Sequence, residues 1–234
     1  KNPHTDSTAE VQYSIAYGSK TGKGGLDFNP DAGAEGFSST KAIYSQYRNL
    51  VFGGDETQNF LFDGYTPDGI YVINVNRARY KNALRMGNLN LQLNGSTHLL
   101  KLTDDSVTTS GSANALRAGV GREFNIVSGS NGIRLGSSTT YVTDSGSYGY
   151  VYPDAGFIIL NADALDHSGS AAEFAAGGGG TNLGTVNTSD NESKNPAKLQ
   201  NALKLGSSFI VDAQEDISSR FYFIRVFNQE FNYT

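Results

Sequence analysis

The chain of 234 residues contains no cysteine. Disulfides, thiolate metal sites and a cysteine nucleophile are therefore excluded. The absence also fits a product folded in a reducing cytoplasm. Charged residues are scarce at 18%, below the usual quarter, and the net charge is −5. An acidic balance argues against nucleic acid as the main partner. No window of about twenty apolar residues occurs, so no helix is expected to span a membrane.

Catalytic motifs are missing too. The three histidines, His4, His98 and His167, lie far apart, and no His-Glu-x-x-His spacing occurs. No Gly-x-Ser-x-Gly elbow is present. Gly18-Ser-Lys-Thr-Gly22-Lys23-Gly24 imitates a phosphate loop but has three residues between its glycines, where the phosphate loop needs four. It reads as a flexible loop. Asp104-Asp105 and Glu215-Asp216 pair carboxylates in polar stretches and read as solvated turn acids. Asp190, Glu192 and Asp212 lack the spacing of a calcium loop. Arg77, Arg79, Lys81 and Arg85 form the densest basic cluster, which reads as a solvated helical face. Asn94, Asn187, Asn191 and Asn232 head Asn-x-Ser/Thr triplets, which chance supplies in a chain this rich in those residues. The expectation is a protein without catalytic residues, metal ligands or cofactor.

What is present is β pattern. Gly is abundant at 28 residues, which suits a loop-rich sheet protein. Ile70 to Val75 is apolar on both faces, as in a strand covered on both sides. A charged turn or short helix follows, stopped by Gly87. Leu89, Leu91 and Leu93 then alternate with Asn88, Asn90 and Gln92, the period of a strand with one dry face. Asn94-Gly95 predicts a two-residue type I′ turn. That turn sets Leu93 opposite Ser96, Leu91 opposite His98 and Leu89 opposite Leu100.

Elsewhere, Val11 to Tyr17 alternates as a strand, and a Gly-rich loop runs from Gly18 to Gly36. Residues 40–51 form a helix with Ile43, Tyr44, Tyr47, Leu50 and Val51 on one face, ended by Gly53-Gly54. Short strands are expected at 60–62, 124–127 and 139–143, with a polar loop at 103–111 and a turn at 128–132. Tyr148 to Tyr152 and Gly156 to Leu160 flank Pro153-Asp154-Ala155-Gly156 as a hairpin, followed by one helical turn at 161–165. Residues 168–195 read as a flexible loop. Asn195 caps a helix with Pro196 first, Leu199, Ala202 and Leu203 on one face, and Gly206 just past its end. Phe209 to Val211 is a strand. Arg220 to Tyr233 is another, with Phe221, Phe223 and Phe227 on one face and Tyr222, Ile224 and Val226 on the other. Such a strand needs cover on both sides. Phe221, Phe223, Phe227, Phe231 and Tyr233 are accordingly the candidate interface residues. Both ends read as cut from something longer.

The fold class is α+β, mainly antiparallel sheet with two or three short peripheral helices and long Gly/Ser/Asn-rich loops, in one domain spanning 1–234. Several phrases together carry a family likeness. They are Ser45-Gln-Tyr-Arg-Asn-Leu-Val51, Ile70-Tyr-Val-Ile-Asn-Val-Asn-Arg-Ala-Arg-Tyr80, Gly87-Asn-Leu-Asn-Leu91, Tyr148 to Gly156, and Phe221 to Thr234. From about residue 10 onward the chain resembles virion structural proteins of contractile-tailed marine bacteriophages, notably those of cyanobacteria. The resemblance implies a non-enzymatic tail or baseplate subunit, located in the virion and assembled in the host cytoplasm. Its partners would be copies of itself and other virion structural proteins. A capsid decoration or neck protein is the next reading. A different class is a receptor- or glycan-binding module, with Tyr141, Tyr148, Tyr150 and Tyr152 stacking a host-surface glycan. A depolymerase-type hydrolase would need two carboxylates meeting in a cleft.

Overall fold

The computed structural model describes residues 6–24, 38–94, 99–135, 147–166 and 194–225. The predicted segments at 25–36, 139–143 and 168–193 lie outside them, as do His4, His98, His167, Asn187, Asp190, Asn191, Glu192 and Asn232.

Among the described residues, ten strands make one antiparallel system. They are β1 (Tyr13–Ser19), β2 (Gly69–Val75), β3 (Ala83–Asn94), β4 (Leu99–Asp104), β5 (Ala115–Arg117), β6 (Gly121–Ser130), β7 (Ile133–Arg134), β8 (Gly149–Tyr152), β9 (Phe157–Asn161) and β10 (Phe209–Gln214). The main path runs β1-β2-β9-β8-β6-β4-β3-β10, with β5 and β7 paired to the two ends of β6. Eight strands laid flat would hold their edges about 34 Å apart. Instead Tyr13 on β1 and Phe209 on β10 meet edge to face with ring centroids 5.1 Å apart. The sheet therefore curls until its two edges face each other. The α+β class expected from the residues is the one found, with three short helices, α1 (Ser39–Phe52), α2 (Ala162–Asp166) and α3 (Lys194–Gly206).

Two cores follow from the curl. Tyr71 and Ile73 of β2, Ile158 and Leu160 of β9, and the β3 leucines share one core with Leu199, Ala202 and Leu203 of α3. Ile70, Val72 and Ile159 point to the opposite face, under Tyr44, Tyr47 and Val51 of α1 and under Phe60 and Phe62. The doubly apolar pattern of β2 is thus met on both sides. Leu50, expected on the buried face of α1, is exposed. Phe60–Phe62 is not a strand: Phe62 makes only an isolated bridge to Tyr65 across a tight turn.

Leu89, Leu91, Leu93, Leu100 and Leu102 are all buried on one face, as the alternation demanded. The register differs from the expected one. Leu93 faces Leu100 and Leu91 faces Leu102. The slip is four residues. Because side chains alternate with period two, an even slip leaves every leucine on the same face. The observed register sets a leucine rather than His98 opposite Leu91.

Gly87 does not stop a helix. A 3₁₀ turn, Arg77–Arg79, ends earlier, and Gly87 lies inside β3 at φ +89°, where the strand bulges. The shift in the β3–β10 register falls in the same stretch, between Ile210 and Asp212. Side chains of β4 take over where the β3–β4 ladder ends. The Gly87 N–H donates to both carboxylate oxygens of Asp104, each at 2.9 Å. Thr103 Oγ1 donates to the Leu89 carbonyl and accepts the Gly132 N–H, each at 2.7 Å. The polar run from Thr103 is therefore strand and buried turn rather than open loop at its start. Likewise β6 continues to Ser130, so the expected turn at 128–132 shrinks to Asn131-Gly132 before β7.

The Pro153–Gly156 hairpin is as expected, with Tyr152 opposite Phe157. In α3 the helix already includes Lys194, and it extends through Gly206, so Ser207 takes the positive φ expected one residue earlier. A side chain at Gly206 would collide with the Gln92 carbonyl, which explains the glycine by close approach. Beyond β10, residues 215–225 make no strand, against the expectation of one from Arg220.

Candidate functional site

The interior carboxylates are the first place to look for chemistry. Asp104 and Asp105 are buried, not solvated. Asp104 accepts the Gly87 and Ser106 N–H groups. Asp105 accepts the Asn125 N–H at 3.1 Å and its Nδ2 at 2.7 Å. Burial raises the Asp105 carboxyl above its ordinary value, against the lowering pull of those bonds. Glu123, which no sequence motif marks, is wholly buried. It accepts Asn114 Nδ2 at 2.8 Å, Arg117 Nε at 2.9 Å and the Tyr152 hydroxyl at 2.9 Å. Burial, then the Glu123 carboxylate, pushes the Tyr152 phenol well above its usual range. Each of these acids spends its lone pairs on fixed protein donors that hold strands and turns together. None of the three lines the cavities along β1 and β10 described below.

The remaining polar motifs are also absorbed by the fold. Ser19 Oγ accepts the Gly22 and Lys23 N–H groups at 3.1 and 3.0 Å, so the glycine loop caps itself. The basic cluster does not form one helical face. Arg77 lies over the Tyr80 ring at 4.4 Å, Arg79 pairs with Glu10, and Lys81 reaches Glu215 at 2.6 Å. Arg85 stands on β3. Of the tyrosines considered for sugar stacking, Tyr148 and Tyr152 are buried and Tyr150 donates to the Leu61 carbonyl. Tyr141 lies outside the described residues. Among the described residues no group of three His, Cys, Asp or Glu side chains could hold a metal ion. No helix among them is long and apolar enough to cross a membrane.

The feature without an internal explanation is the stretch after β10. Phe221, Tyr222, Phe223 and Ile224 are 81%, 80%, 96% and 84% exposed, and Ile217 is exposed as well. Phe221 and Phe223 are the described members of the expected interface set; Phe227, Phe231 and Tyr233 lie outside the described residues. Isolated apolar residues on a surface are ordinary, but a consecutive run marks a contact.

A second feature is a gap in the sheet. Among the described residues, β1 and β10 are the two edges of the curled sheet, β1 pairing with β2 and β10 with β3. They touch at Tyr13 and Phe209. On one side of that contact α3 approaches β1, with Pro196 and Gln200 beside Tyr13 and Ile15. On the other side the edges diverge around a cavity of about 250 Å³. Val75, Leu84, Val211 and the two touching rings give it an apolar floor; Gln12, Arg79 and Asp212 give it a polar rim. Sequence reasoning flagged the aromatic run by its pattern. It could not have found the seam, which depends on how far eight strands curl.

Comparison with protein-family models, with curated proteins and with solved structures finds no match.

Proposed function

We propose that the protein is a non-enzymatic structural subunit that acts by packing against copies of itself. The exposed run from Phe221 to Ile224 carries this reading. Burying each such side chain is worth about 1.5–3 kcal/mol, which the isolated chain leaves unrealised. The buried acids add support, since each is committed to holding the fold. The resemblance described above extends the proposal to a bacteriophage virion, in the tail or baseplate, with other virion structural proteins as further neighbours.

The test is multi-angle light scattering of the purified chain over a wide concentration range, followed by electron microscopy of the particles it forms. A defined homo-oligomer whose map places Phe221 to Ile224 at subunit contacts is the expected result. A monomer at every concentration, with the run still accessible to protease, overturns the proposal.

A further inference from the structure

We propose that residues 220–225 of a second copy enter the seam between β1 and β10 as an added strand along β10, seating Phe221 and Phe223 in its cavity. This rests on the reading of the chain as an assembly subunit, and names the contact.

The acceptor has the right chemistry. An edge strand leaves alternate N–H and C=O groups pointing off the sheet, a template for one more strand. The open part of β10 runs from Ile210 to Gln214, beyond the Phe209–Tyr13 contact. Five residues of strand span about 17 Å, the length of the six-residue donor less one. The cavity of about 250 Å³ falls below the ~300–1,000 Å³ of small-molecule sites. It is of side-chain size. A second cavity shares Arg79 and Ala213 with it and continues along β10 to Glu215. The vacancy is thus a slot rather than a hole.

The donor fits that slot. In Arg220-Phe-Tyr-Phe-Ile-Arg225 the two phenylalanines project to one side of an extended chain, and Tyr222 and Ile224 to the other. The apolar floor of Tyr13, Val75, Leu84, Phe209 and Val211 receives the first pair. The mouth of the slot carries both signs of charge, Arg79 and Lys81 against Asp212 and Glu215.

The occupant is a second copy because the chain's own run stands exposed and lines neither part of the slot. Past β10 the chain is fastened to Lys81 and Asn82, which lead into β3. The Asn82 N–H donates to the Gln214 carbonyl at 3.2 Å, and the Asp216 N–H donates to Asn82 Oδ1 at 3.3 Å. Lys81 clasps Glu215 at 2.6 Å. From there Phe221 to Ile224 stand 80–96% exposed, off the sheet that carries them. A copy that donates its run and accepts another's makes a reciprocal exchange, which closes as a two-fold dimer.

The native chain has no cysteine, so engineered thiols are unique. One preparation carries Gln12→Cys on the seam wall and another carries Tyr222→Cys in the donor. Mixed and oxidised, they are expected to give a disulfide-linked heterodimer on a non-reducing gel. Ala213→Trp, which fills the slot, and the double variant Phe221→Ser/Phe223→Ser, in an exposed segment that leaves the fold intact, should each abolish that crosslink. Each should also move the light-scattering mass to monomer while keeping a single cooperative thermal melt. A chain bearing both cysteines that closes its disulfide internally while monomeric overturns the second copy as occupant. Oligomers that persist in both blocking variants, with no heterodimer crosslink, overturn the seam and leave the assembly reading standing. A wild-type chain that is monomeric throughout overturns both.

Discussion

Leu89, Leu91 and Leu93 in β3 are fully buried, whereas Phe221 and Phe223, spaced in the same way, stand 81% and 96% exposed. Both stretches alternate, and both carry side chains that water repels. The difference lies in what each has beside it. β3 is hydrogen-bonded to β4 on one side and β10 on the other, and α3 lies over its leucine face. Among the described residues, Phe221 to Ile224 have neither a strand alongside nor a layer above. Fixing six backbone residues costs about 6–12 kcal/mol. Burying the two phenylalanines returns about 3–6 kcal/mol, and burying Tyr222 and Ile224 as well brings the return to about 6–12. Cover on one face therefore falls short, and cover on two faces roughly balances. A pattern of alternation states what a segment needs, and the neighbours decide whether it receives it.

The sharpest way to break the comparison is to truncate one residue from each stretch. Leu91→Ala empties a fully buried site, and unfolding in urea should show a loss of about 3–5 kcal/mol. Phe223→Ala, at a residue that touches little in the isolated chain, should stay within about 0.5 kcal/mol of wild type in dilute solution. A large effect of Phe223→Ala under conditions where the chain is monomeric would mean that the run folds onto its own sheet.

A smaller effect probes how the buried stretch closes over its bulge. Thr103 Oγ1 joins the Leu89 carbonyl of β3 to the Gly132 N–H beside β7. Thr103→Val keeps the shape and deletes both bonds, leaving two buried backbone groups unpaired. The expected loss is about 1–3 kcal/mol, with faster amide exchange at Gly132.

These two tests also mark what the residues disclosed on their own. The leucine alternation disclosed the dry face of β3, because period two is a local property of the chain. It misplaced the turn, since Asn94-Gly95 favours a tight loop while the sheet gains more by setting Leu102 opposite Leu91. The β2 and α1 patterns were legible for the same local reason. Gly87 was misread because a glycine after a charged turn looks the same whether it ends a helix or opens a bulge. Glu123 and the Asp104-Asp105 pair were opaque. Nothing in a polar stretch says that it will be roofed over, and only the fold brings Arg117, Asn114 and Tyr152 to one carboxylate. The aromatic run of the candidate interface was visible at once, and its companion seam was not, because a seam is made by two edges nearly two hundred residues apart.

The interior and the surface should also separate under acid, with opposite signs. Asp154, at the turn of the β8–β9 hairpin, is held below its ordinary value of 3.8, first by the Arg122 side chain, which reaches it at 2.6 Å. A carboxyl depressed in the folded state contributes stability above the unfolded pKa and loses it as pH falls through the folded one. The pair is partly solvent-exposed, so the effect is small. Asp105 is raised instead, by burial. Its folded state holds the proton more tightly, so stability declines as pH climbs from the unfolded value towards the folded one. Urea midpoints measured from pH 3 to pH 6 should therefore respond in two windows. Asp154→Asn should flatten the fall below about pH 4, and Asp105→Asn should flatten the slope above it. The slope is the diagnostic, because Asp105→Asn also disturbs the contact with Asn125 and shifts every midpoint together. If both variants act in the same window, Asp105 is less desolvated than its burial among β4 and β6 requires. The contrast between a roofed acid and an open one would then fail at the residue chosen to represent it.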